Sequence, residues 1–198
     1  MIQAEEIATV SPGFYLWQAY CSKAKVELTS HALVCGDALY LIDPIRLTES
    51  ALTQLETLPQ KPRAILLTNG NHERDAAFYR DLYGVPIFAD PRAAVEISLP
   101  TAPFPNALNG LELLSLSGAG AGEVGFYHRE QGLLILGDIL INLDSFAFAP
   151  LPDKYATSPK EMRRSLQLLT TLDVRTIAFA HGLPISSRAA ERLASVCI

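Results

Sequence analysis

The sequence predicts a mixed α/β fold, a four-layer αββα sandwich in which two packed sheets carry helices on their outer faces. Three observations predict it. Residues 14–43 read as successive strands, strand and helix then alternate in each half, and a proline-rich stretch separates the halves.

Phe14 to Tyr20, Val26 to Cys35 and Ala38 to Asp43 are rich in β-branched and aromatic residues, with Gly36-Asp37 as a hairpin turn between the last two. Thr48 to Leu58 places Ala51, Leu52 and Leu55 at helical spacing, between a Thr48 N-cap and a Pro59 stop. Ala64 to Thr68 reads as a strand buried on both faces, Glu73 to Tyr83 as a helix ended by Gly84, and Val85 to Ala89 as another short strand. Pro91, Pro100, Pro103 and Pro105 make residues 90–110 mostly loop after a short helix through Val95, and mark it as a candidate flap.

Leu111 to Leu116, Val124 to His128 and Leu133 to Leu136 are expected strands, with Gln131-Gly132 turning the last pair. Ser158-Pro159-Lys160-Glu161 reads as a capping box opening a helix whose apolar stripe runs through Met162, Leu166 and Leu169. Thr176 to Ala180 closes the strand list and Ser187 to Cys197 is a last helix. No short-period repeat or low-complexity tract interrupts this order, so residues 1–198 are expected to form one domain.

Of 198 residues, 49% are hydrophobic and 19% charged, which excludes a disordered or fibrous chain. Lys and Arg number 16 against 21 Asp and Glu, a net charge of −5 without a run of either sign, so neither nucleic acid nor an anionic membrane is an expected partner. Three cysteines, Cys21, Cys35 and Cys197, form no C-x-x-C pair and no disulfide scaffold; with no secretory signal in MIQAEEIATV, a cytoplasmic location is expected. A homodimer is one explanation of the low charge fraction, and a closed apolar pocket is another.

In layered folds the chemistry sits on loops at strand ends. Three exits are polar: Asn69-Gly70-Asn71-His72-Glu73-Arg74-Asp75 after Thr68, Gly137-Asp138 after Leu136, and His181-Gly182 after Ala180. With Leu41-Ile42-Asp43, the Ile65-Leu66-Leu67-Thr68 strand and the Val124-Gly125-Phe126-Tyr127 strand, these exits resemble the metallo-β-lactamase-fold hydrolases, the superfamily of glyoxalase II-type thioesterases and lactonases. The resemblance covers nearly the whole chain and implies the αββα sandwich of that type.

Members of that superfamily bind one or two metal ions, usually zinc, through H-x-H-x-D-H, a His in a G-H-T-x-G turn, a bridging Asp and a last His. Laid residue by residue, those positions fall on Asn69, Asn71, Glu73 and Arg74, with His72 at the variable place, and on Ala119 within Gly118 to Gly122. Only Asp138 and His181 match. Neutral amide oxygens are weak zinc ligands. A permanently charged guanidinium at about 4 Å would repel each unit charge of a divalent ion by about 4 kcal/mol at an effective dielectric near 20.

The expected site is therefore degenerate and metal-free, that of a pseudoenzyme whose cleft, lined by Asn69, Asn71, His72, Glu73, Arg74, Ala119, Asp138 and His181, binds a small anionic molecule. Arg74 is expected to replace the ion and pair with Asp138, Glu73 or both, and to bind the anion together with the Asn69 and Asn71 amides. Two alternatives stand beside this reading. One is a hydrolase of thioesters, lactones or other esters with a single zinc, iron or manganese ion on Glu73, Asp138 and His181, with His72 at the pocket mouth as an acid/base or replacement ligand, and with His72, Asp138 and His181 as catalytic candidates. The other is an interaction protein. His31 and His128 fall inside strands, where packing explains them.

Overall fold

A computed structural model of the chain describes residues 2–143 and 147–197. The N-terminal half forms β1 (Gln3–Ala4), β2 (Ala8–Ser11), β3 (Phe14–Cys21), β4 (Val26–Cys35), β5 (Ala38–Ile42), β6 (Arg46–Leu47), α1 (Glu49–Glu56), β7 (Pro62–Leu66), α2 (Ala76–Tyr83) and β8 (Ile87–Phe88). The C-terminal half adds β9 (Leu111–Ser115), β10 (Val124–His128), β11 (Leu133–Leu136), β12 (Leu140–Leu143), β13 (Ala147–Pro150), α3 (Pro159–Leu169), β14 (Thr176–Phe179) and α4 (Ala189–Val196).

Two sheets result, one in the order β2-β3-β4-β5-β7-β8 and one in the order β14-β11-β10-β9; β1 pairs with β6, and β12 with β13. Alternation along the strands sorts side chains into three cores. Phe14, Leu33, Tyr40, Ile42 and Leu66 of the first sheet meet Val124, Phe126, Leu133, Ile135 and Ala178 of the second between the sheets. Leu39, Leu41, Ile65 and Leu67 point the other way, onto Ala51 and Leu55 of α1 and Ala76 and Tyr79 of α2. Tyr127, Leu134, Leu136 and Phe179 likewise face Met162, Leu166 and Leu169 of α3 and Leu193 of α4. These are the four expected layers. β5, β11 and the Ala64-Ile65-Leu66 part of β7 are buried on both faces, which explains their unbroken apolar runs.

Several local expectations need correction. The helix expected from Glu73 starts only at Ala76, because a 3₁₀ turn over Gly70–His72 comes first and Arg74 adopts φ +43°, which a right-handed helix cannot contain. Ser158 stands at the N-cap of α3 but its side chain makes no cap bond, so the capping box is not formed. The β12–β13 hairpin has no counterpart among the expected strands. The proline-rich segment is tied down rather than hanging free: the Ala89 amide donates to the Ala102 carbonyl, the Ala102 amide donates to Ile87, and Glu73 accepts hydrogen bonds from Ser98 and Leu99. Among the described residues no helix is long and apolar enough to cross a membrane.

Candidate functional site

The loops after β5, β7 and β14, with the Gly137-Asp138 exit of β11, meet at one end of the two sheets. β7 runs into Thr68, and the Asn69 side chain caps the following 3₁₀ turn by accepting from the Asn71 amide at 2.9 Å. A 3₁₀ helix makes one turn every three residues, and here it carries His72 back over the end of β7 while Glu73 leaves on the opposite side.

Both nitrogens of His72 are engaged. Nδ1 lies 2.7 Å from Thr68 Oγ1 and 2.9 Å from Asp43 Oδ2. Thr68 spends its one hydroxyl hydrogen on Asp43 Oδ2, at 2.5 Å, and its amide also donates to Asp43 Oδ1 at 2.8 Å. His72 Nδ1 therefore faces acceptors and carries a hydrogen. His181 Nδ1 faces the Glu27 carbonyl at 2.8 Å, which only accepts, so it carries a hydrogen too.

A neutral ring protonated at Nδ1 presents a bare Nε2. His72 Nε2 lies 3.3 Å and His181 Nε2 3.2 Å from the same atom, Asp138 Oδ1. Three lone pairs thus converge, and three lone pairs repel unless a cation sits among them. Either ring protons or a metal ion would supply it. Burial opposes charge on His72, but Asp138 and Asp43 outweigh it and raise its pKa to about 9. Burial likewise opposes charge on Asp138, yet the two histidines hold it well below the usual carboxylate range.

The same three atoms pass the test of a metal site by donor chemistry. His72, Asp138 and His181 offer two imidazole nitrogens and a carboxylate oxygen, all within 4.8 Å of one another. A tetrahedral zinc with bonds of about 2.0 Å has ligand atoms roughly 3.3 Å apart, close to the two spacings seen. Histidine ligands ordinarily give their other ring hydrogen to a carboxylate or carbonyl, as both do here.

Other expected residues are placed differently. Glu73 is not beside Asp138: its carboxylate is spent on Ser98 and the Leu99 amide, so it cannot join Asp138 and His181 around an ion. His72 takes that position. Arg74 pairs with neither Asp138 nor Glu73. It donates instead to three backbone carbonyls, Thr29 at 2.6 Å, Asp43 at 2.9 Å and Ala180 at 3.2 Å, sewing β4, the Asp43 turn and the end of β14 together. Arg74 has φ +43°, and its guanidinium makes hydrogen bonds to these carbonyls and no ion pair among the described residues.

Asn69 is fully buried and fully used, donating from Nδ2 to Glu123 Oε2 at 2.8 Å and to Asp138 Oδ2 at 3.0 Å. It orients Asp138 and has no amide hydrogen left for a ligand. Ala119 is buried in the α3 core, not in the cleft; its neighbour Gly120 lines the cleft in its stead. Asn71, His72, Arg74, Asp138 and His181 do border one cavity of about 520 Å³.

Two residues that hold the cluster escaped the sequence reading. Asp43 closes β5 in a left-handed conformation, φ +47°, and anchors His72; a charged residue ending the buried run Leu41-Ile42 was a usable signal. Glu123 is completely buried, accepts from the Ile139 amide and Asn69, and is pushed up to about 8 by burial and by Asp138. Its signal, an acid directly before the buried β10, is weaker.

Comparison with solved structures identifies the fold. A metallo-β-lactamase from Pontibacter korlensis superimposes with a TM-score of 0.75 at 17% identity, covering 100% of this chain and 99% of that one. The chain has the metallo-β-lactamase fold. A metallo-β-lactamase from Hirschia baltica matches with TM-score 0.74 at 16% identity over 98% of both chains. A metallo-β-lactamase family protein from Thermus thermophilus matches with TM-score 0.69 at 21% identity, over 94% of this chain and 79% of that one. No protein-family model matches the sequence, and no curated protein matches it significantly. The metallo-β-lactamase fold is thus retained on a strongly diverged sequence.

Proposed function

We propose that the cleft holds one divalent metal ion on His72, Asp138 and His181 and that the protein hydrolyses a carboxylic ester, thioester or lactone. The convergence of three lone pairs, with both Nδ1 hydrogens already committed to Asp43, Thr68 and Glu27, carries this reading. Two imidazoles and a carboxylate with a fourth side open to a cavity suit catalytic zinc, and the same donor set takes iron or manganese. Such an ion supplies a polarised carbonyl and a water acidic enough to attack near neutral pH.

The chain's own residues have defined tasks. Asp43 and Thr68 orient His72, the Glu27 carbonyl orients His181, and Asn69 holds the second oxygen of Asp138, so three donors are fixed before any ligand arrives. Asn71, exposed on the cleft, offers an amide N–H to a substrate oxygen. Arg74, bound to carbonyls, holds the loops that carry the donors.

One observation favours a second reading, a metal-free protein that binds a small molecule: the His72 ring lies between two carboxylates, Asp43 at 2.9 Å and Asp138 at 3.3 Å, where a second ring proton supplies the cation. Elemental analysis and metal titration of the purified protein separate the two. The hydrolase reading expects one equivalent of zinc, iron or manganese, with metal and turnover of p-nitrophenyl acetate both lost in Asp138→Asn and His181→Ala. Absence of metal, with no change in melting temperature on adding zinc, iron or manganese, would leave the metal-free binder.

A further inference from the structure

β4 pairs with β5 over only part of its length. The paired residues run from His31 with Ile42 to Cys35 with Ala38, so among the described residues one edge of Val26–Ser30 is unpaired within its own sheet, while β3 covers the other. Main-chain groups on a bare, buried edge need partners. The exit of β14 supplies them: the Thr29 amide donates to the Ala180 carbonyl at 2.8 Å, and the Glu27 carbonyl accepts from His181 Nδ1 at 2.8 Å. The edge of one sheet thus grips the histidine-bearing loop of the other.

Main-chain pairing needs no particular side chain, and a strand core accepts apolar residues, yet Thr29 and Ser30 both bury a hydroxyl completely. A buried hydroxyl is costly unless it is bonded. Neighbours in a strand send their side chains to opposite faces, and here each hydroxyl reaches a different loop. Thr29 Oγ1 donates to the Gly182 carbonyl at 3.1 Å and accepts from Gln18 Nε2 at 2.7 Å. With its amide on Ala180, Thr29 holds the residues on both sides of His181. The Asn142 amide donates to the His181 carbonyl at 3.0 Å, so three consecutive carbonyls are bonded. Gly182, at φ +105°, permits this approach, because a β-carbon there would collide with the Asn142 carbonyl. Ser30 Oγ donates to the Asp43 carbonyl at 2.6 Å and accepts from the Ile45 amide at 2.8 Å. It fixes the left-handed residue whose carboxylate anchors His72.

We propose that Thr29 and Ser30 are positioning residues, one for each imidazole: Thr29 fixes His181, and Ser30, through Asp43, fixes His72. One strand then sets the spacing of the two Nε2 atoms about Asp138 Oδ1, and Arg74, donating to the Thr29, Asp43 and Ala180 carbonyls, ties the same three segments from outside the sheet. Only the statement that the two nitrogens serve one ion rests on the hydrolase reading.

The test measures two quantities in Thr29→Val, Thr29→Ser and Ser30→Ala: zinc affinity, by competition with a chromophoric chelator, and the imidazole nitrogen NMR signals of the zinc-free protein. Thr29→Val and Ser30→Ala are each expected to weaken zinc by about tenfold or more, while Thr29→Ser, which keeps the hydroxyl, stays within about twofold of the parent. Without zinc, Thr29→Val should disturb the Nδ1–H signal of His181 and leave that of His72, and Ser30→Ala should do the reverse. A merely structural role would lower stability without singling out one ring. Parent affinity in Thr29→Val, equal losses in Thr29→Val and Thr29→Ser, or disturbance of both rings by either variant would overturn the proposal. If the parent protein binds no zinc, the hydrolase reading falls and the ring signals alone decide the positioning.

Discussion

Asn69 donates to Asp138 Oδ2 at 3.0 Å with one hydrogen of the amide whose other hydrogen goes to Glu123 at 2.8 Å. One neutral side chain therefore separates the buried Glu123 from the part-buried Asp138 and aims the free oxygen of Asp138 at both histidines. Where the superfamily motif has its first histidine, this chain has a strut.

Replacing that strut by an acid should be costly. Asn69→Asp keeps the shape, but it sets a third carboxyl against Glu123 and Asp138 and removes both donors. A loss of about 3 kcal/mol is expected, with melting lowered by roughly 6–12 °C for a chain of this size. Urea denaturation at neutral pH measures it. A loss below about 1 kcal/mol would show that the amide bonds do not hold the two acids apart.

Glu73 and Arg74 fall on ligand positions of the motif, yet Glu73 is bonded to Ser98 and Leu99 and Arg74 to three backbone carbonyls. Glu73→Gln should leave metal stoichiometry unchanged and lower stability by about 1 kcal/mol through the weakened tie to Ser98. Arg74→Lys, which cannot reach three carbonyls with one ammonium, should cost about 2 kcal/mol. Elemental analysis beside chemical denaturation checks both, and loss of metal in Glu73→Gln would restore the ligand set expected from sequence.

His31 makes stability depend on acid. It is buried in β4 and stacked on Phe14, its Nε2 has no hydrogen-bond partner among the described residues, and burial lowers its pKa to about 3. With the folded value depressed, the unfolded chain binds the proton first. This contribution is neutral above the unfolded value near 6.5, and stability falls as pH drops from there toward 3. His31→Phe should gain on the parent as pH falls, by about 2 kcal/mol between roughly pH 7.5 and pH 5. Denaturation curves at the two pH values measure the gain, and parallel pH profiles would remove His31 as its source.

Much of this protein was legible in its sequence because the signals are local. Strand alternation, buried apolar runs and the Gly36-Asp37 turn fall where the structure has β3, β4, β5 and their hairpin, and the Gly137-Asp138 and His181-Gly182 exits bring Asp138 and His181 together at 3.2 Å. Residue order and residue type suffice for these, since a buried strand must show an apolar run and its exit must carry the polar groups. The choice among adjacent residues of one loop was not legible. Whether His72, Glu73 or Arg74 faces Asp138 depends on the rotation of the chain through residues 70–74. That rotation follows from the Asn69 cap, the 3₁₀ turn and the positive φ of Arg74, all held by contacts with Ser98, Thr29, Ala180 and Asp43, which lie far away in sequence. Sequence by itself thus determined the fold and two of the three converging donors; tertiary structure alone chose the third donor, and with it the fate of the arginine.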